Sequence, residues 1–138
     1  MVIPDTVDVV DDEPGQIKLW LDDEREPRTV YGTNDGWTVC RSFHEAMDVL
    51  ERDHAQVSQM SLDWHLGDRQ PDGVFFANEV VSRVRYLSDF EEVFKTCRRI
   101  NCHSSDRDRR REMALIFLKA QEEHVLSGDI RVSIHAAK

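Results

Sequence analysis

Two rhythms of apolar and polar positions run along the chain. Short apolar blocks of four to seven residues alternate with longer stretches in which apolar residues return every three or four positions. The blocks are "IKLWL" (17–21), "WTVCR" (37–41), residues 57–63 with Val57, Met60 and Leu62, "RRINCH" (98–103) and "IRVSI" (130–134). Blocks of this length bounded by turn residues predict buried strands. Phe43, Ala46, Met47 and Leu50 fall at helical spacing, and Ser42 with Glu45 makes a capping box, so 43–53 predicts a helix. Helical spacing returns from Val74 to about Tyr86, with an extension or restart expected through residue 95, and Ser105 opens a third helix to about Leu126. Residues 22–36 hold Pro27, Gly32, Asn34 and Gly36 and read as loop with one short turn of helix; "GDRQPDG" (67–73) is a turn-rich loop.

The predicted order is β, loop, β, α, β, α, β, α, β. Strands alternating with helices predict an α/β fold with a five-stranded parallel sheet. In such sheets ligands bind outside the carboxyl ends of the strands. That is where this chain concentrates its polar chemistry. Strand one is followed by Asp22-Asp23-Glu24-Arg25, strand three by Asp63-Trp64-His65, and strand four by His103-Ser104-Ser105-Asp106. All three clusters belong to one edge. Carboxylates converging from two loops suit a hard divalent cation such as Mg²⁺. Ser104, Ser105 and the first amides of the last helix offer donors to phosphate oxygens, and Arg107, Arg109, Arg110 and Arg111 follow.

Each feature also has a plain structural reading. An acidic triplet after a strand is commonly a solvated turn, and a strand-end histidine is commonly a hydrogen-bonded surface group. Ser105 fits an N-cap. The arginine run is interrupted by Asp108, with Arg107 and Arg111 expected on one side of the helix and Arg110 on another. Trp20, Trp37 and Trp64 read as packing groups, Trp64 being set apart by its place between two candidate site residues. The coincidence at three strand ends, not any single residue, carries the site.

Composition narrows the picture. At 138 residues and 40% hydrophobic content the chain has the size of one domain with one core. The net charge is −9, and residues 1–26 carry nine acids against two bases, so the acidity belongs to the front. Residues 1–15 read as a flexible acidic tail ending in Pro14-Gly15, and residues 16–138 as the folded domain. No broad basic face for a duplex is evident. Three cysteines without a Cys-x-x-Cys pair argue against a disulfide framework or a structural zinc site. No apolar run nears the roughly 20 residues of a membrane span, and the first residues lack the signature of a signal peptide; a cytoplasmic location is expected.

The motif set resembles the receiver domains of response regulators, which carry an acidic pair after strand one, a phospho-accepting Asp ending strand three and a Ser/Thr ending strand four. Asp22 with Asp23, Asp63 and Ser104 match. The Lys that ends strand five in receivers has no counterpart; only His135 and Lys138 follow. A closer resemblance is to the cyclic-phosphate-processing receiver domain, through "LWLDDEREP", "GWTVCRSFHEAMDVLE" (36–51), "SLDWHLG" (61–67) and "CHSSDRDRRREM" (102–113). Trp64 stands where that family has His, His65 where it has Asp, and Ser105 or Asp106 where it has Asn. The resemblance implies a receiver-like (flavodoxin-like) three-layer fold with the first helix short or missing. It implies a phosphoesterase acting on cyclic-phosphate ends of RNA or nucleotides. Asp22, Asp23 and Asp63 would then hold Mg²⁺, His103 and His65 would move protons, and Arg25, Ser104, Ser105 and Arg107 would bind the phosphate. An alternative is a non-catalytic receiver-like module that binds a nucleotide, or a protein partner through the acidic tail. A phosphorylated response regulator is a third.

Overall fold

The computed structural model describes residues 17–87 and 96–136, together with Ile3. Five strands, β1 (Ile17–Leu21), β2 (Trp37–Cys40), β3 (Val57–Leu62), β4 (Arg99–Ser104) and β5 (Arg131–Ala136), form one sheet in the order β2-β1-β3-β4-β5. Every pairing is parallel. The chain steps from β1 to β2 on one side and returns to place β3 on the other. That reversal opens a crevice between the carboxyl ends of β1 and β3. Asp22 and Asp63 are the residues immediately beyond those two ends.

The helices are α1 (Arg28–Tyr31), α2 (Phe43–Asp53), α3 (Gly73–Leu87) and α4 (Arg107–Glu122). The expected reduction of the first helix is observed: α1 is a single turn between Pro27 and Gly32, whose φ of 78° ends it in the left-handed region. Ser42 caps α2 by accepting from the Glu45 amide at 3.2 Å, and the Glu45 carboxylate accepts from the Arg41 amide. Among the described residues, no helix is long and apolar enough to cross a membrane.

Alternation along the strands divides the sheet into two unlike faces. Leu19, Leu21, Met60, Leu62, Ile100, Cys102, Val132 and Ile134 enter the hydrophobic core with Leu50 of α2, Phe76 and Val80 of α3, and Met113 and Phe117 of α4. The other face carries Lys18, Trp20, Gln59, Ser61, Asn101, His103 and Ser133, all buried. Among the described residues its cover is thin: the α1 turn brings Tyr31 against Trp20 and Trp37.

Several boundaries differ from the sequence reading. β4 runs one residue further, so Ser104 closes the strand, and β5 runs through His135 to Ala136. Helix α4 ends at Glu122, not near Leu126, and its N-cap is Asp106, whose carboxylate accepts from the Arg109 amide at 3.0 Å; Ser105 is not the cap. The tail expected over 1–15, Ile3 aside, and the helical extension expected through residue 95 lie outside the described residues; Ile3 itself is half-buried against the core.

Candidate active site at the β1–β3 crevice

Asp22 is fully buried and fully engaged. One carboxylate oxygen accepts from the amides of Glu24 (2.9 Å) and Arg25 (2.8 Å); the other faces His103 Nε2 at 3.0 Å and the Arg25 guanidinium at 3.5 Å. Burial works to raise its pKa, but the hydrogen bonds from His103 and from the two amides outweigh it, and the carboxyl sits below its ordinary value. Asp63 lies across the crevice, buried, with its Oδ1 accepting from the Trp64 amide at 2.8 Å and its Oδ2 3.6 Å from Arg25. Burial, and then the charge of Asp22, push Asp63 up to about 7. Two buried carboxylates thus share one guanidinium.

The loop that carries Arg25 is pinned from behind. Trp20 Nε1 donates to the Arg25 carbonyl at 2.9 Å, and Arg41 Nη1 donates to the carbonyls of Arg25 (2.6 Å) and Asp22 (3.2 Å). Asp63 is held by close packing. A Cβ on Gly73 would stand 2.1 Å from the Asp63 carbonyl oxygen and 2.7 Å from Met113 Cε, so only glycine lets α3 start there. The Gly73 amide donates to the Trp64 carbonyl at 2.7 Å.

His103 is fully buried and stacks on Trp20, with centroids 4.0 Å apart and planes 9° from parallel. Burial lowers its pKa, so the imidazole is neutral at pH 7. Its Nδ1 lies 2.8 Å from Ser61 Oγ. Since Asp22 is ionised, the ring proton belongs on Nε2 and Nδ1 accepts from the Ser61 hydroxyl. Ser61 Oγ accepts from Asn101 Nδ2 at 3.3 Å, and Asn101 Oδ1 accepts from Ser133 Oγ at 3.0 Å. Ser133, Asn101, Ser61 and His103 form a chain of donors all running one way, ending on Asp22. Tyr31 packs beside it against Trp20 and Trp37, and burial raises its phenol pKa.

The strand ends therefore bring together Asp22, Asp63, His103 and Arg25. Asp22, Asp63 and His103 each offer one ligand atom, all within 4.8 Å of one another, a group that can hold a metal ion. Their fit to a cation rests on charge: His103 is neutral, and among the described residues Arg25 is the cation set between the two carboxylates, while burial and then the Asp22 charge raise Asp63. Asp23 is half-buried outside this group, with its pKa raised by burial and by the neighbouring Asp22 charge.

Other expected residues fall elsewhere. The stretch after Asp63 is not extended, and His65 turns outward, 57% exposed and 3.9 Å from Asp68. Trp64 is half-buried, donates to Asp72 at 3.1 Å and lies under the Arg109 guanidinium, 5.1 Å from the ring centroid. Ser104 is buried, its hydroxyl accepting from the Asp106 amide at 3.1 Å. Ser105 is exposed, and the cap of α4 belongs to Asp106. Arg107 lines a separate cavity with Arg110 and Arg111, so the expected split of these three arginines is not observed. Positions 107, 110 and 111 are one, three and four residues apart, which puts them on one helix face.

Trp20, Arg41, Ser61 and Asn101 were not singled out in the sequence as site residues. Ser61 and Asn101 did leave a signal: polar residues inside buried strands, two positions before Asp63 and His103 and hence on the same face.

A family model, the cyclic-phosphate processing receiver domain, matches residues 17–119 of the chain. Nothing matches among curated proteins or among solved structures.

Proposed function

Since the chain belongs to the cyclic-phosphate processing receiver domain family, we propose that it is a metal-assisted phosphoesterase that opens cyclic-phosphate ends of RNA or nucleotides. The observation that carries this reading is the pair Asp22 and Asp63, buried face to face with Arg25 between them. Asp22 and Asp63 would hold the cation, taken as Mg²⁺, and Asp23 would add negative charge nearby. A bound divalent cation polarises a phosphoryl oxygen and favours hydroxide at neutral pH. Arg25 binds a non-bridging oxygen. Ring opening adds the oxygen of water to phosphorus, breaks one phosphorus–ribose oxygen bond and returns a proton to that oxygen. The attacking water gives up that proton.

His103 takes a different role from the acid–base one that strand-end position implied. Its Nε2 is given to Asp22 and its Nδ1 to Ser61, and no edge of the ring is exposed. It is a positioning residue that fixes the carboxylate of Asp22. Ser104, with its buried hydroxyl accepting from the Asp106 amide, supports the start of α4.

The test is ³¹P NMR of the protein with cytidine 2′,3′-cyclic phosphate, with and without Mg²⁺, beside Asp63→Asn. Mg²⁺-dependent loss of the cyclic resonance, abolished by the substitution, is expected. Cyclic resonances unchanged in the wild type would support the second reading, a non-catalytic nucleotide-binding module, which the complete enclosure of His103 favours.

A further inference from the structure

A second cavity, of about 440 Å³, lies beside the crevice at the carboxyl end of β5, lined by Arg107, Arg110, Arg111, Ile134, His135 and Ala136. Three guanidiniums converge on it from one face of α4. Arg110 donates to the Ser104 carbonyl at 3.2 Å, which ties the cavity wall to β4. Among the described residues, Arg107 and Arg111 have no ion-pair partner; the acid of their helix that does pair, Glu112, takes Arg109 at 2.7 Å. Both are exposed. This is a local concentration of positive charge in a protein whose net charge is −9. Converging guanidiniums with an imidazole edge suit an anion with several oxygens, a phosphate above all.

The position matters as much as the charge. His135 and Ala136 pair in register with His103 and Ser104. Neighbouring strands lie about 4.8 Å apart, so the end of β5 stands about 10 Å from the end of β3, where Asp63 sits. Long arginine side chains reach in from the rim and cover part of that span. The cavity also has room beyond a phosphate, and Ile134 and Ala136 give it an apolar side for a sugar.

Resting on the phosphoesterase reading above, we infer that this cavity is a second phosphate subsite. It takes the phosphodiester that precedes the cyclic end of an RNA strand. The preferred substrate is then an oligonucleotide end, not a free mononucleotide.

The experiment uses a probe that needs no turnover: a 5′-fluorescein uridine trinucleotide with a terminal 3′-phosphate, followed by anisotropy. The full chain is compared with Arg107→Gln/Arg111→Gln, whose thermal midpoint should be unchanged because both side chains are exposed. The double variant should bind the trinucleotide about tenfold more weakly, and its slope of log affinity against log salt should fall by about one. Uridine 3′-monophosphate, which lacks the preceding phosphodiester, should compete equally well in both proteins. Equal trinucleotide affinity in both proteins would overturn the inference, as would an equal loss for trinucleotide and mononucleotide. The two readings fail separately. Mononucleotide ring opening without any arginine effect on binding removes only the subsite. Arginine-dependent binding without ring opening removes only the catalysis.

Discussion

The two faces of the sheet are built on opposite rules. On one, Leu19, Met60, Leu62, Ile100 and Phe76 interlock as an apolar core. On the other, Ser133, Asn101, Ser61 and His103 are equally buried but joined by hydrogen bonds that all point the same way, toward Asp22. Apolar packing is non-directional and fixes volume. A hydrogen-bonded chain is directional, and it fixes which proton sits where. The apolar face therefore holds the sheet together, whereas the polar face holds one carboxylate in one state. Buried polar chains are costly when incomplete, so keeping this one satisfied sets a strict condition on the sequence of β3, β4 and β5.

Substitutions on the two faces should separate stability from site chemistry. The largest loss of stability is expected from Phe76→Ala, about 4 kcal/mol by urea unfolding, because its ring is fully enclosed. Next comes the pH dependence of the cation-free protein. Asp63 has a folded pKa of about 7 against an ordinary 3.8. The folded state therefore holds a proton that the unfolded state has lost, and stability falls as pH rises through that window, by up to about 1.4 kcal/mol per pH unit. Asp63→Asn should flatten this slope. Asp22, with its lowered pKa, acts in the opposite sense, losing stability as pH falls below its ordinary range.

Asn101→Ala should cost about 1 to 2 kcal/mol, by leaving Ser61 and Ser133 short of a partner. It should also weaken Mg²⁺ binding roughly tenfold, as loss of an outer support does. In ¹⁵N spectra His103 should lose its single Nε2-protonated form. Ser42→Ala, which removes the cap of α2, is the smallest change, about 1 kcal/mol in thermal stability with Mg²⁺ affinity untouched. If Asn101→Ala and Ser42→Ala behaved alike, the distinction between the faces would collapse.

The apolar face was legible in the sequence because it obeys period: the blocks at 17–21 and 57–63 and the helix at 43–53 appear where the pattern puts them. Asp22 and Asp63 were legible because a parallel sheet sends all its strand ends to one edge. The role of His103 was not. Position alone cannot tell an imidazole that faces substrate from one sealed between Trp20, Ser61 and Asp22, since that depends on register between strands far apart in sequence. His65 failed to join Asp63 because alternation holds only while the chain stays extended, and here the Gly73 amide draws the chain back onto Trp64. The grouping of Arg107, Arg110 and Arg111 was misread as a split, although spacings of three and four residues put all three on one helix face. Ser105 lost the cap to Asp106, a matter of one residue in where β4 ends.

The claim on which the rest depends is that Asp22 and Asp63 together hold a divalent cation. Calorimetric titration of Mg²⁺ at pH 7, repeated in buffers of different ionisation heat, tests it directly. One site is expected, with release of protons on binding, because burial and the Asp22 charge push Asp63 up to about 7 and it must ionise to coordinate. Asp63→Asn should abolish both the binding heat and the proton release. Binding that survives Asp63→Asn, or no binding in the wild type, would contradict the account.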